Sequence, residues 1–331
     1  MAIEMLYQRD VYGKTLVELG KQDPRIVVMD ADLSGSTRTA LFAREFPERF
    51  FNCGVAEQNM MAMASGLASC GKIVFVSTFA MFATGRAWDQ VRNSICYSKL
   101  NVKIVATHAG ITVGPDGATH QALEDIAIMR AIPQMKVVVP CDGPQTAEAI
   151  RAVAALAGPC YVRLGRAKFP SVEGKSPFAL GQMQCLRQGT QIALFACGLM
   201  VKQALEAQQL LAPEGISAAV YNIHTIKPLD QDAVLAAARR YQGVVICEEH
   251  SVIGGLCGAV AEVLAPAGCP VRVAYVAVGD RFGQSGESDE LLAAYQLTPQ
   301  DIVRAARRVR EQAATDSKGT QHASRKRPRA G

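Results

Sequence analysis

The chain alternates short apolar runs with longer segments of helical periodicity, a pattern typical of a parallel sheet covered by helices. In the first half this pattern predicts four strands and four helices: strands at 26–29, 73–76, 102–106 and 136–139, and helices at about 57–70, 80–97, 123–131 and 144–157. The strands are apolar at nearly every position, so we expect a sheet that is buried on both faces.

The second half repeats the alternation over a shorter length. It predicts strands at 192–196, 218–221, 244–247 and 271–274, and helices at about 199–211, 229–240, 254–265 and 299–310. Residues 173–183 between the halves contain Gly and Pro and show no periodicity, so they are read as a linker. The sequence therefore predicts an α/β protein of two parallel-sheet domains, 1–172 and 184–310.

Composition and charge narrow the class of protein. Of the 331 residues, 49% are hydrophobic and 20% charged, which excludes wholesale disorder. The longest charge-free stretches, such as 188–201, fall short of the roughly 20 residues that a membrane-spanning helix needs. The N-terminus carries charges and no long apolar run, so it does not resemble a secretory signal. We expect a soluble, cytoplasmic protein with no membrane partner.

The net charge of +5 comes largely from the C-terminal end, where 311–331 contribute +3. That segment is polar and basic, and we expect it to be disordered. The remaining charge gives no case for binding nucleic acid. Ten cysteines occur without a single Cys-x-x-Cys pair, so they predict neither a metal site nor a disulfide framework.

Ligands of open α/β sheets bind at the carboxyl ends of the strands, so the loops there hold the candidate chemistry. After strand 26–29 comes a small, acidic segment that contains Asp32 and Ser36. It is equally consistent with an ordinary helix cap and turn and with a functional loop. Glu57 stands at the start of an apolar helix, with Arg49 as the sole basic residue within ten positions. A buried carboxyl without a partner has a raised pKa, which is a property of catalytic acids, although acidic residues are also common at helix starts.

Two phenylalanines, Phe79 and Phe82, follow strand 73–76 and share one helical face. Core packing is the default interpretation, and a platform for a flat heterocycle is the alternative. After strand 102–106 a Gly-rich loop carries His108, Asp116 and His120. Their spacing is consistent with a metal site, and equally with recognition of hydroxyl and carbonyl groups coupled to proton transfer.

The segment 161–166 ends a further strand, the last of the first domain, and closes with Arg166. An arginine at the end of a strand either forms a surface ion pair or clamps a phosphate or carboxylate.

Taken in order, five motifs resemble the C-terminal half of the transketolase family, over about residues 10–310. They are GVAEQ at 54–58, STFAMF at 77–82, GPDGATHQ at 114–121, HTIKPLD at 224–230 and EEHSVIGGL at 248–256. The resemblance implies a pyrimidine-binding domain followed by a smaller transketolase C-terminal-like domain. It also implies the transfer of a two-carbon ketol unit from a ketose phosphate to an aldose or aldose phosphate, with thiamine diphosphate as cofactor.

The resemblance also assigns roles to the candidate residues. Glu57 matches the catalytic acid that hydrogen-bonds the aminopyrimidine ring, and Phe79 and Phe82 match its stacking wall. Asp32 matches an acidic residue near the cofactor and the subunit contact. His108, Asp116 and His120 match positions that contact the substrate, the two histidines with a part in catalysis. Arg166 and Ser36 match contacts to the sugar phosphate.

The chain departs from the family pattern at two points that affect the site. It has no Gly-Asp-Gly, the family motif that holds the diphosphate and its metal. We therefore expect a split enzyme, whose N-terminal partner subunit supplies the diphosphate site and Mg²⁺ (or Ca²⁺), as an α2β2 heterotetramer. In addition, Gly85 stands where the family has a further aromatic residue, and Trp88 follows three positions later.

Three alternatives remain open from the sequence. Deoxyxylulose-phosphate synthases resemble the chain in the 116–121 motif but tend to carry Arg at the position of His108. The β subunits of 2-oxoacid dehydrogenases share the split arrangement but lack the 116–121 motif in this form. A non-catalytic interaction module would have no use for the polar residues Glu57, His108, Asp116 and His120, since such residues are costly to retain at a site that is no longer used.

Overall fold

A computed structural model describes residues 5–174 and 176–325, and these form an α/β protein with three sheets. The strands are β1 (Met5–Tyr7), β2 (Ile26–Asp30), β3 (Phe50–Asn52), β4 (Ile73–Ser77), β5 (Val102–Ala106), β6 (Lys136–Val138), β7 (Cys160–Arg163), β8 (Lys168–Pro170), β9 (Gln184–Arg187), β10 (Ile192–Ala196), β11 (Ala218–Asn222), β12 (Thr225–Lys227), β13 (Gly243–Ser251) and β14 (Arg272–Val278).

In this part of the chain, twelve α-helices cover the sheets, and the longest of them comes last. They are α1 (Gln8–Gln22), α2 (Ser34–Thr37), α3 (Ala40–Glu45), α4 (Glu57–Ser69), α5 (Trp88–Gln90), α6 (Asp125–Ala131), α7 (Gly143–Ala155), α8 (Met200–Leu211), α9 (Gln231–Arg240), α10 (Leu256–Leu264), α11 (Ser288–Ala294) and α12 (Pro299–Arg325). Within the described residues, none of these helices combines the length and apolar character that crossing a membrane requires.

The first domain is built on a seven-stranded sheet in the order β12-β6-β7-β5-β4-β2-β3. Strands β2, β4 and β5 are buried at every position and pair in parallel, as their continuous apolar sequences predict. Their carboxyl ends therefore lie along one edge of the sheet, and the loops that leave this edge are brought together.

Strand β12 belongs to the second half of the sequence but completes the sheet of the first domain. It pairs antiparallel with β6, with Thr225 opposite Val138 and Lys227 opposite Val137. The sequence does not predict this strand, because three residues are too few to show an alternation. The chain thus returns to the first domain after β11, and the two domains share backbone hydrogen bonds.

The second domain has a five-stranded sheet in the order β14-β13-β10-β11-β9. The strands β10, β11, β13 and β14 pair in parallel, and β9 adds an antiparallel edge strand. Strand β13 extends four residues beyond its predicted end, through Ser251. Its end reaches the first domain, and this extension matters for the site.

The helix expected over 80–97 is interrupted. Phe82–Arg86 and Val91–Cys96 form π-helical turns on either side of the short helix α5. Such wide turns are rare and are often found at functional sites. Arg86 is the last residue of the first of these wide turns, and the turn therefore sets its position.

The C-terminal segment also differs from expectation. Helix α12 continues through Arg325, so the described part of 311–331 is helical where the sequence predicts a disordered tail. The reason lies in the residues that follow 310: they are rich in helix formers and contain no Pro before Pro328. Residues 326–331 lie outside the described residues. The boundaries predicted at 172 and 184 stay predictions.

Candidate functional site

Glu57 is the first residue of α4 and its side chain is 1% exposed. The loop that precedes it turns through Gly54, which has a positive φ of 68°. A carboxyl at this position interacts favourably with the positive end of the helix dipole. The expectation that Glu57 is buried at the first turn therefore agrees with its place in the structure.

The expectation that Glu57 has no partner is wrong. Arg86 Nη1 donates a hydrogen bond to Glu57 Oε2 across 3.0 Å. The Arg86 side chain is 52% exposed, so this ion pair joins a buried carboxyl to a guanidinium at the surface. Sequence reasoning missed Arg86 because the two residues are 29 positions apart, on separate elements.

Phe79 and Phe82 stack on each other, with ring centroids 6.1 Å apart and planes inclined by 18°. The guanidinium carbon of Arg86 lies 5.4 Å from the centroid of the Phe82 ring. The cation of Arg86 therefore lies over Phe82, in the region where the family has a further aromatic residue. Trp88 instead donates from Nε1 to the carbonyl of Ile128 across 3.3 Å.

The two histidines of the Gly-rich loop meet this aromatic pair. The His108 ring stacks on Phe79, with centroids 3.8 Å apart and an interplanar angle of 23°. The His120 ring stands edge-on to Phe82, 5.3 Å between centroids. Glu57, Phe79, Phe82, His108 and His120 are thus connected through direct contacts, with Arg86 as the link to Glu57.

His108 is held in an unusual state. Its φ is +58°, a left-handed conformation that residues other than glycine rarely adopt, and such conformations are concentrated at functional sites. Burial, aided by the nearby guanidinium groups of Arg9 and Arg166, lowers the pKa of His108 to about 3. The ring is therefore neutral at physiological pH. Its Nδ1 is 2.9 Å from the Thr107 hydroxyl, which leaves Nε2 for another partner.

Asp116 is the last residue of a 3₁₀ turn, Ile111–Asp116, and it is exposed. The left-handed Gly117 follows it, and the backbone N–H of His120 donates to the Gly117 carbonyl across 3.0 Å. Asp116 and His120 therefore sit on one tight turn. The other Asp-Gly pair of the chain has a structural task, since Asp142 caps the N-terminus of α7 through Gln145.

Asp32 and Ser36 lie on the loop after β2, which is organised by a buried carboxyl. Asp30 accepts hydrogen bonds from the backbone N–H of Leu33 and from the hydroxyls of Thr37 and Thr39. Asp32 is exposed and accepts a hydrogen bond from Asn52 Nδ2 across 2.9 Å. This contact ties Asp32 to the loop that leads to Glu57.

Arg166 is half-buried and donates from Nη1 to the carbonyl of Val113 across 2.9 Å. Arg9 on α1 approaches the same region, and its Nη1 lies 3.5 Å from the carbonyl oxygen of Ser36. Burial and the neighbouring positive charges of Arg38 and Arg166 lower the pKa of Arg9. Arg9, Arg166 and Ser36 thus form an electropositive corner near His108, suited to an anion.

Sequence reasoning missed Arg9. It precedes every motif and occupies the first turn of an ordinary helix, so no local signal distinguishes it from a surface arginine.

Within the described residues, no group of three or more His, Cys, Asp or Glu side chains could hold a metal ion. The site combines a buried acid, a flat aromatic surface, neutral imidazole and an electropositive corner.

Comparison with protein families matches both halves of the chain. Residues 4–171 match the transketolase pyrimidine binding domain, and residues 181–302 match the transketolase C-terminal domain. The chain belongs to the transketolase family. This confirms the predicted resemblance and the fold of two α/β domains.

Relatives of similar length have transketolase names. A protein of Methanocaldococcus jannaschii, provisionally named a transketolase C-terminal section, is 52% identical over 92% of this chain and 95% of its own. The 6-deoxy-6-sulfo-D-fructose transketolase subunit SqwH of a Clostridium species is 43% identical over 93% and 96% of the two chains. One of the subunits of the apulose-4-phosphate transketolase of Phocaeicola vulgatus is 38% identical over 92% and 98%.

Solved structures agree. A split gene transketolase described as an inactive β4 tetramer is 50% identical, with a TM-score of 0.85 over 92% of this chain and 98% of that one. A Pichia stipitis transketolase in complex with xylulose 5-phosphate is 27% identical, with a TM-score of 0.79 over 93% of this chain and 46% of that one. This protein is therefore a C-terminal transketolase subunit, an enzyme component of the transferase class.

Transketolase membership implies dependence on thiamine diphosphate, and the geometry fits the aminopyrimidine part of that cofactor. An aminopyrimidine needs a flat apolar surface and a carboxyl that reaches a ring nitrogen. The partly exposed ring of Phe82, backed by the buried Phe79, fits the first need. The buried carboxyl of Glu57, linked to Phe82 through Arg86, fits the second. The buried position of Glu57 favours hydrogen bonding in a water-poor site.

Proposed function

We propose that this chain binds the aminopyrimidine of thiamine diphosphate and the sugar substrate, while an N-terminal partner subunit binds the diphosphate and Mg²⁺. The observation that carries the proposal is the place of Glu57, a buried carboxyl joined through Arg86 to Phe82. Phe82 in turn contacts Phe79 and His120, the latter on the loop 108–121, which we call the substrate loop. The absence of Gly-Asp-Gly from the sequence and the subunit names of the relatives support the division of labour.

Each group of the chain has a distinct task in this proposal. Thiamine diphosphate, when bound, supplies the stabilisation of the carbanion. Glu57 hydrogen-bonds the pyrimidine ring and holds or releases a proton there, while Phe79 and Phe82 orient the ring and exclude water. Asp32, fixed by Asn52, supports the loop before Glu57. By its resemblance to the family, it is also proposed to lie near the cofactor and the contact with the partner subunit.

The substrate groups act on the sugar. His108 and His120 bind its hydroxyl and carbonyl oxygens and pass protons, and Asp116 binds a hydroxyl group. A neutral His108 donates or accepts through Nε2 without adding a charge to the electropositive corner. Arg166, Arg9 and Ser36 bind the terminal anion, a phosphate or a sulfonate, by charge-assisted hydrogen bonds. The relatives act on sugars named as a phosphate or a sulfo-sugar, which suits this corner.

An α2β2 heterotetramer is the assembly that we propose. The related β4 tetramer is described as inactive, and the same result is expected for this chain without its partner. Two copies of each subunit would supply complete sites at the interfaces between unlike chains.

Reconstitution tests the function directly. The chain is mixed with the N-terminal transketolase subunit, Mg²⁺ and thiamine diphosphate, and ketol transfer from xylulose 5-phosphate to ribose 5-phosphate is measured. We expect transfer by the pair and none by either chain alone. Oxidation of pyruvate with an artificial electron acceptor, in place of ketol transfer, would contradict the proposal. A panel of phosphorylated and sulfonated ketoses then identifies the preferred donor.

A further inference from the structure

Two side chains of the second domain form hydrogen bonds with the backbone of Thr112 in the substrate loop. Glu249 Oε1 accepts a hydrogen bond from the Thr112 N–H across 2.7 Å. The Ser288 hydroxyl donates to the Thr112 carbonyl oxygen across 3.1 Å. Both backbone groups of Thr112 are therefore fixed by side chains from β13 and α11. Thr112 lies four residues after His108 and four before Asp116.

Further contacts from the second domain reach the same loop. Gln121 Nε2 donates to the carbonyl of Gln284 across 2.8 Å. A side chain at Gly117 would meet the hydroxyl of Ser285 at 2.6 Å. The loop that carries His108, Asp116 and His120 is thus held by the second domain while its histidine rings contact Phe79 and Phe82 in the first.

Glu249 is itself held firmly in place. Its side chain is 4% exposed, and its carboxyl lies so close to Gly110 that a Cβ there would overlap it. Gly110 also has a φ of +86°, so glycine is needed on both grounds. Arg163 Nη2 donates to the backbone carbonyl of Glu249 across 3.0 Å, and Arg163 Nε donates to Asp125 across 2.7 Å.

The neighbouring Glu248 makes a useful contrast. It is also fully buried, but its carboxylate accepts hydrogen bonds from the N–H groups of Leu256 and Cys257 and caps α10 within the second domain. Successive residues of a strand point to opposite faces. Two adjacent glutamates therefore serve different domains, and only Glu249 reaches the substrate loop.

We propose that Glu249 is a positioning residue for the transfer reaction, through which the C-terminal domain sets the geometry of the loop that binds the sugar. This inference rests on the proposed function, because it concerns the same substrate site. A hydrogen bond in a buried setting leaves a buried backbone N–H unsatisfied when it is lost, so the loss of this bond releases the loop. The position of the loop depends on the acceptor oxygen of Glu249 and on the length of its side chain.

The test compares three variants of the full chain. Glu249→Asp shortens the side chain by one methylene and withdraws the acceptor from Thr112. Glu249→Gln keeps both the length and an acceptor oxygen. Glu248→Asp is the matched control, since it shortens an equally buried carboxylate with no contact to the loop. Donor KM and kcat are measured in the reconstituted pair, and amide hydrogen exchange of 108–121 is measured in the full chain alone.

We expect Glu249→Asp to raise the donor KM about tenfold and to speed exchange at Thr112, with thiamine diphosphate affinity changed less than about twofold. Glu249→Gln, which keeps the acceptor oxygen and the length, should have a donor KM close to that of the wild type. Glu248→Asp should lower the melting temperature and leave KM and loop exchange unchanged.

Unchanged exchange at Thr112 in Glu249→Asp would overturn the proposal. So would a KM equal to that of Glu248→Asp, which would indicate a purely structural role. Failure of the wild-type pair to transfer a ketol unit would count against the proposed function instead, and the exchange experiment does not depend on it.

Discussion

Arg86 pairs with Glu57 across 3.0 Å, and the same guanidinium lies 5.4 Å from the centroid of Phe82. These are the acid and one of the rings that we propose for holding the aminopyrimidine. The cofactor and Arg86 therefore share two binding groups. Insertion of the pyrimidine requires Arg86 to move or to share Glu57.

Removal of this competition should tighten cofactor binding. In Arg86→Leu, the carboxyl of Glu57 has no ion pair to break, so we expect the dissociation constant of thiamine diphosphate in the reconstituted pair to fall about two- to fivefold, the range of a half-exposed ion pair. Calorimetric titration measures this change. Arg92→Leu, in the neighbouring π-helical turn Val91–Cys96, serves as the control and should bind as the wild type does. Weaker binding by Arg86→Leu would show instead that Arg86 assists the cofactor.

Replacement of Glu57 by Gln should lower turnover strongly and leave the fold intact. Glu57→Gln keeps the shape of the side chain but cannot exchange a proton with the ring, so kcat should fall about 10²- to 10⁴-fold. The melting curve followed by circular dichroism should stay close to that of the wild type. The exposed Glu48→Gln provides the control. Near-normal turnover by Glu57→Gln would remove the central support for the proposed chemistry.

The electropositive corner should discriminate between charged and uncharged donors. Arg9→Ala and Arg166→Ala each remove a cation near His108, so KM for xylulose 5-phosphate should rise about ten- to a hundredfold. KM for xylulose, which lacks the phosphate, should change little. Steady-state kinetics with both sugars measures the difference. An equal rise for both donors would mean that the arginines shape the site rather than bind the anion.

Two buried histidines should make stability depend on pH in a defined window. Burial lowers the pKa of His224 to about 4 and that of His108 to about 3. Below about pH 6.5 the unfolded chain takes up a proton at each histidine that the folded chain excludes, so stability falls as pH falls. Each group contributes a slope of up to about 1.4 kcal/mol per pH unit.

Urea unfolding at several values between pH 6.5 and 4.5 measures that slope. As pH falls, the free energy of unfolding of His224→Gln should fall less steeply than that of the wild type. The slopes should differ by up to about 1.4 kcal/mol per pH unit, the contribution of one proton. Equal slopes would mean that His224 takes up its proton in the folded state as well.

The strong periodic elements of the fold could be predicted from the sequence because burial on both faces leaves continuous apolar strands such as β2 and β5. The short elements could not, since β3 and β12 have three residues each and no visible alternation. The interruption of the helix after Phe82 was hidden as well, because the wide turns around α5 leave the apolar spacing intact.

The candidate site shows the same limit. Phe79, His108 and His120 could be found because each follows a predicted strand, and the structure brings their rings together. Glu57 could be found because it begins an apolar helix. Arg9, Arg86 and Glu249 could not, because their significance comes from partners that are distant in sequence. Glu249 lies 137 residues from Thr112, and no local pattern distinguishes it from the capping residue Glu248.

Strand β12 crosses the boundary that the linker 173–183 marks in the sequence. A chain that ended in this linker would lack β12, so the N–H and C=O groups on one side of β6 would be unpaired. Exposed strand edges of this kind pair with strands of other molecules. A chain that ended just after Lys227 would keep the seven-stranded sheet complete. It would, however, separate β9, β10 and β11 from β13 and β14 of the five-stranded sheet. The two domains therefore depend on each other for complete sheets, and neither half is expected to be stable when produced alone.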